Sequence, residues 1–257
     1  MTTVVPLCLG WMSNDADMFV PGEAGTIRYP VPGYAVVHEQ GTVLFDTGLH
    51  ESLMRSDEML GPLASMFTVE LTAGDLPEAR LTKAGIDPAS VTHVVNSHLH
   101  FDHCGHNGPF ADAVTLVQAP EWEAARRPAT RYSYVGVPLD EIGAGDLRLV
   151  EGEVDLFGDG TVVLVPTPGH TVGHQSLLVR AGPEPAADGV LLVGDACYLR
   201  RMLATGITPR YATDVPGQLA SYRTLQRYEA SGARLIFSHD IDEWDAVPSG
   251  LRPPPTW

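Results

Sequence analysis

The stretch SHLHFDHCGH, Ser97 to His106, follows the apolar run Val91 to Val95 and brings His98, His100, Asp102 and His103 close together in the chain. Alternate residues of a strand project to one face, so a continuing strand would aim His98 and His100 the same way. Asp102 and His103 would then face different centres once the chain turns. The spacing predicts two metal ions rather than one.

Three other apolar runs end in a similar donor. Thr161 to Val165 leads into PTPGH at His170, Gly189 to Val193 into Gly194 and Asp195, and Arg234 to Phe237 into Ser238 and His239. Strand ends on a rigid sheet are places where a scaffold can fix ligand geometry. Imidazole and carboxylate suit zinc, and a set without thiolate, with positions left for water, is that of a catalytic rather than a structural site. If Asp195 bridges, His98, His100, His170 and Asp195 hold one ion, and Asp102, His103, His239 and Asp195 hold the other. Two Zn2+ per chain are therefore expected, although Co, Mn or Fe suit the same donors.

With these residues in place, the chain resembles the metallo-β-lactamase superfamily and, within it, the N-acyl homoserine lactonases of the quorum-quenching type. The resemblance runs through FDTGLH (Phe45 to His50), SHLHFDHCGHN (Ser97 to Asn107), TPGHTVGHQSLLV (Thr167 to Val179), GDACY (Gly194 to Tyr198) and SHD (Ser238 to Asp240). The HxHxDH element marks only the superfamily. Tyr198, three residues after Asp195, is the narrower signal, because lactonases of this family carry a tyrosine there that helps hold the substrate carbonyl. The chain departs from many relatives at Cys104 and His106, and the segment Leu199 to Asp214 matches no familiar pattern. The resemblance implies an αββα sandwich of the metallo-β-lactamase type.

A length of 257 residues suits a single hydrolase domain over 1–257, without a long linker or a repeat. The formal net charge is −16, from 32 acidic and 16 basic residues, so the field repels polyanions and counts against nucleic-acid binding and the nuclease branch of the superfamily. The start of the chain lacks a basic leading region and an unbroken apolar segment, and no later run suits a membrane span. A cytoplasmic protein is expected. Cys8, Cys104 and Cys197 show no metal or redox spacing and are read as reduced thiols, the latter two as small packing residues near the site.

Early strands are expected over Ile27 to Tyr34, Tyr34 to His38 and Thr42 to Phe45. A helix is expected over Asp75 to Ala84, with Asp75 as N-cap, Glu78 completing a capping box, Pro77 in the first turn and Gly85 as terminator. Two more are read over Pro120 to Arg127 and Pro216 to Ser231, the latter with Leu219, Tyr222, Leu225 and Tyr228 as a packing stripe. The runs Val162 to Val165 and Val190 to Val193 lack alternation, as strands covered on both faces do. Strands fall into one group before residue 150 and another after it, and residues 251–257, with three prolines, read as a loose arm. Asp46 is either a turn residue or a group beneath the metals. His38, His50 and His93 read as structural, His106 as a rim residue or a support for ligands, and His174, as the resemblance to relatives with GHTxGH implies, as a structural or supporting group rather than a ligand.

The chemistry expected is hydrolytic ring opening of a lactone to a hydroxy acid, with Asp102 as proton carrier and Tyr198 as oxyanion donor. Met18, Phe19, Met66, Phe67, Leu199, Met202, Leu203 and Ile207 are candidates for an acyl-binding wall, together with Met12, and they serve equally well as core or as a homodimer interface. The same ligands could serve a lactonase for another ring such as pyridoxolactone, a thioesterase of the glyoxalase II type, an esterase or a phosphotriesterase. β-Lactam hydrolysis fits the second ligand set less well. The diiron oxygen reductases carry HxExDH where this chain has His100, and persulfide dioxygenases use a single iron.

Overall fold

A computed structural model describes residues 2–182 and 189–244. The proline-rich arm expected over residues 251–257 lies outside them. Seven strands build the first sheet: β1 (Thr3–Asp15), β2 (Thr26–His38), β3 (Gly41–Phe45), β4 (Thr68–Glu70), β5 (Val91–Val95), β6 (Val114–Gln118) and β7 (Asp146–Val150). Five build the second: β8 (Val154–Asp155), β9 (Val162–Pro166), β10 (Gln175–Arg180), β11 (Gly189–Leu192) and β12 (Arg234–Ile236). The expected division near residue 150 is the division between sheets. The helices are α1 (Ala16–Phe19), α2 (Pro77–Lys83), α3 (Ala119–Arg126), α4 (Leu139–Ile142), α5 (Arg200–Thr205), α6 (Val215–Ala230) and α7 (Ile241–Trp244).

The first sheet runs β4-β1-β2-β3-β5-β6-β7, antiparallel up to β3 and parallel from β3 through β7. The second runs β12-β11-β10-β9-β8, with only β11 and β12 parallel. Side-chain alternation explains how the sheets stack. Val43 and Phe45 of β3 meet Val162 and Leu164 of β9 in an inter-sheet core, whereas Leu44 and the intervening Val163 and Val165 belong to a second apolar cluster. Tyr222 and Leu225 of α6 join that second cluster, so both faces of the central strands are covered and the runs read as unbroken apolar. With α2 against β1, α3 against β6 and β7, and α6 against β12, the arrangement is the αββα sandwich.

Three local expectations change. Ile27 to His38 forms one long strand rather than two, because the irregularity in β1 between Cys8 and Trp11 absorbs Pro30 and Pro32, which cannot donate to a regular ladder. Helix α2 starts at Pro77 with Leu76 as its cap; the capping box belongs instead to Thr72 and Asp75 around the preceding turn, and Glu78 turns to His106. Strand β5 stops at Val95, so His98 and His100 do not share the face of a strand. They lie on the loop beyond it.

Candidate metal centre

Every proposed donor sits on a loop leaving a strand end of one of the two sheets. The loop after β5 carries His98, His100, Asp102 and His103; those after β9, β11 and β12 carry His170, Asp195 and His239. Backbone bonds knit the loops together: Gln175 N–H donates to Ser97 O at 2.8 Å, and Thr47 N–H donates to His103 O at 2.8 Å. Donor atoms of His98, His100 and His170 lie within 4.8 Å of one another, as do those of Asp102, His103 and His239, and those of His98, His103 and Asp195.

Asp195 lies between the two groups. Its Oδ2 is 3.5 Å from His170 Nε2 and 3.9 Å from His98 Nε2, whereas its Oδ1 is 3.3 Å from His103 Nε2 and 3.1 Å from His239 Nε2. The outer ring nitrogens are anchored. His103 Nδ1 is 2.8 Å from Asp46 Oδ2, His98 Nδ1 is 2.9 Å from Ser97 Oγ, and His239 Nδ1 donates to Pro30 O at 3.0 Å. Each anchor turns an Nε2 inward, the pattern by which a hydrogen-bonded partner orients a ligating imidazole. His98 Nε2, His103 Nε2 and Asp195 Oδ1 are buried and have no hydrogen-bond partner among the described residues. Buried polar atoms are almost always paired, so these orphaned atoms, converging from two sides, fit cations between them.

Protonation follows the same geometry. Burial, then the neighbouring histidines, pushes His98 and His170 well below the ordinary imidazole value, leaving neutral rings able to donate a lone pair. Burial would also depress His103, but the carboxylates of Asp195, Asp102 and Asp46 outweigh it and raise that ring, so a cation arriving there displaces a proton. Burial would raise Asp195, yet His103 and His239 hold it well below the usual carboxylate range.

A cavity of about 430 Å³ opens above these groups, reaching His100, Asp102, His170, Asp195 and His239. Tyr198 lines it, only 3% exposed, with its hydroxyl 3.5 Å from His170 Nδ1. Of the expected wall, Met18, Phe19, Met66 and Phe67 line the cavity, as does Met12. Leu199, Met202 and Leu203 do not: they are 5%, 1% and 5% exposed in the apolar core. Ile207, 36% exposed, also lies away from the cavity. The reason is α5, whose apolar face turns inward and carries the segment after Tyr198 off the cavity before residues 210–213 return to it. That return is held by Thr213 N–H donating to His170 O and Arg210 N–H donating to Met18 O. Tyr211, whose hydroxyl accepts from Asn14 Nδ2 at 2.8 Å, and Tyr29 complete an aromatic wall that the sequence does not announce.

The supporting histidines are placed as well. His174 Nε2 accepts the Asp195 N–H at 2.9 Å and its Nδ1 is 2.9 Å from Thr167 Oγ1, so both ring nitrogens are occupied away from the donor groups. His106 is buried and pairs with Glu78 at 3.1 Å rather than lying at the cavity rim. Cys104 and Cys197 are buried, their thiols directed to the carbonyls of His100 and Leu199.

A two-sheet sandwich with histidine and aspartate donors gathered at its strand ends defines a class of metal-dependent hydrolases, and the metallo-beta-lactamase superfamily model matches residues 27–239. The chain belongs to that superfamily, and within it to the N-acyl homoserine lactonases. It is 31% identical to the N-acyl homoserine lactonase AttM of Azorhizobium caulinodans over 230 residues, 87% of this chain and 86% of that protein. It is likewise 31% identical to the N-acyl homoserine lactonase of Bacillus cereus, over 92% of this chain and 90% of the relative. Among solved structures, an N-acyl homoserine lactone hydrolase with the product N-hexanoyl-L-homoserine at its catalytic metal centre superposes with a TM-score of 0.82 at 26% identity, covering 96% of both chains. AidC, a dizinc quorum-quenching lactonase, shares the fold at 18% identity and a TM-score of 0.71, over 97% of this chain and 89% of that one.

Proposed function

We propose that the chain is a dinuclear zinc hydrolase that opens the lactone ring of N-acyl homoserine lactones to the hydroxy acid. The observation that carries this reading is the division of the Asp195 carboxylate, one oxygen toward His98 and His170 and the other toward His103 and His239, beneath a cavity lined by Tyr198. His98, His100, His170 and Asp195 would hold one ion, and Asp102, His103, His239 and Asp195 would hold the other. Such a pair, when bound, makes a water nucleophilic near neutrality and polarises a carbonyl oxygen.

The chain's own residues supply the remaining functions. Burial, with the carboxylates of Asp195 and Asp102, pushes Tyr198 well above its ordinary pKa, so the phenol keeps its proton. It donates a hydrogen bond to the oxyanion that forms at the lactone carbonyl. Asp102 faces the cavity, takes the proton that the attacking water gives up and passes it to the departing ring oxygen. Met18, Phe19, Met66 and Phe67 receive the acyl chain and exclude water, with Tyr29 and Tyr211 extending the surface. The names of the AttM relatives and the product-bound neighbour support the choice of substrate.

The test is a kinetic panel on metal-replete protein: N-acyl homoserine lactones of increasing acyl length beside a thioester, a phosphotriester and a β-lactam. The lactones should be hydrolysed best, with kcat/KM depending on chain length. Tyr198→Phe should retain its metals and lose about 10²-fold in kcat. Preferred turnover of the thioester would move the protein to a thioesterase, and a rate indifferent to acyl length would remove the apolar wall.

A further inference from the structure

Glu121 is completely buried, at 0% exposure, in the first turn of α3. Its Oε1 accepts the Leu99 N–H at 2.9 Å and its Oε2 accepts the Gly173 N–H at 2.9 Å. Leu99 stands between His98 and His100; Gly173 stands between His170 and His174. One carboxylate therefore spans the two loops that carry the converging rings of His98, His100 and His170.

Helix propensity does not account for this placement. An acidic residue in a first turn is favourable to the helix when exposed, whereas burying a carboxylate is unfavourable unless its oxygens are bonded. The loop has to come unusually close to collect those bonds. A Cβ on Gly173 would lie 2.4 Å from Glu121 N and 2.8 Å from its Cα, so only glycine admits this approach to α3. Asp46 acts in a corresponding way elsewhere, its carboxylate bonding His103 Nδ1 and the Ser97 N–H and hydroxyl, without touching the His170 loop.

We propose that Glu121 is a positioning residue for the ion held by His98, His100 and His170, fixing the separation of the two loops that bear them. The inference rests on the ligand assignment above and not on the substrate, so a wrong substrate leaves it standing. Glu121→Gln preserves shape but can accept only one of the two N–H groups, the amide turning a donor toward the other.

The experiment titrates metal into wild-type protein, Glu121→Gln and Gly173→Ala by chelator competition, with the visible spectrum of the Co2+-loaded forms and the thermal midpoint recorded alongside. His170→Ala and His239→Ala mark which ion is which. Both test variants should weaken the ion lost in His170→Ala by about 10-fold or more, within the ~10–100-fold range for groups supporting metal ligands, and alter its Co2+ spectrum. The ion lost in His239→Ala should keep its affinity and spectrum. Equal weakening of both ions in step with a lower thermal midpoint would reduce Glu121 to a general structural role, and unchanged affinities would overturn the proposal outright. Should Glu121→Gln not fold, Gly173→Ala, which leaves the carboxylate in place but displaces the loop, stands as an independent test with the same expected and contrary outcomes.

Discussion

Asp46 has a backbone φ of 62°, the left-handed region that non-glycine residues rarely occupy. The conformation costs about 1–2 kcal/mol and is offset by three hydrogen bonds, to the Ser97 N–H, the Ser97 hydroxyl and His103 Nδ1. The sequence leaves Asp46 between a turn and a support beneath the metals; the structure puts it in a left-handed turn with its carboxylate bonded to Ser97 and His103. At this scale the candidate donors are legible, since a histidine or aspartate just past an apolar run announces itself, and His174 separates from His170 because the seven proposed donors, His170 among them, would satisfy two ions without it. The two residues should behave differently when replaced. His170→Ala should lose one ion, whereas His174→Gln should weaken binding only modestly, because its ring holds the Asp195 backbone rather than a cation. Elemental analysis after gel filtration decides, and equal loss from both variants would contradict the division.

Helix α5 shows what the sequence hides. Leu199, Met202 and Leu203 follow a Tyr198 that lines the cavity, and proximity in sequence suggests a substrate wall. Their i, i+3, i+4 spacing is the mark of a helix face turned to a core, and that is where they lie. Tyr211 carries no such mark, since bonds to residues distant in sequence, from Arg210 N–H to Met18 O, from Thr213 N–H to His170 O and from Asn14 to its own hydroxyl, bring it to the cavity. The strands are legible where unbroken apolar runs meet turn residues, as in β9 and β11. Strand β1 is not, because its irregularity near Gly10 breaks any simple period. The inter-sheet core should be intolerant of truncation. Phe45 is 1% exposed between the sheets, and Phe45→Ala should cost about 3–5 kcal/mol in urea unfolding, against less than about 1 kcal/mol expected for a merely surface-packed ring.

On the scale of the whole molecule, stability should depend on acidity through buried imidazoles. Burial pushes His174 down to about 3, whereas in the unfolded chain it takes up a proton near the ordinary value of about 6.5. The unfolded state thus binds more protons between those values, and the contribution of the neutral ring, complete above about pH 6.5, is lost as pH falls toward about 3. In metal-free protein the urea midpoint should fall across this window, and less steeply in His174→Gln; identical slopes would show that the ring titrates alike in both states. The net charge of −16 sets the same molecule against polyanionic substrates, and among the described residues no helix is long and apolar enough to cross a membrane.

All of the proposed chemistry depends on Asp195 standing between two cations. The most direct measurement is a crystal structure of metal-replete protein with anomalous scattering at the metal edge, paired with the metal content of the same sample. Two peaks per chain are predicted, one beside His98, His100 and His170 and the other beside Asp102, His103 and His239, with Asp195 in reach of both. A single fully occupied peak, or an Asp195 carboxylate turned away from either, would contradict the account.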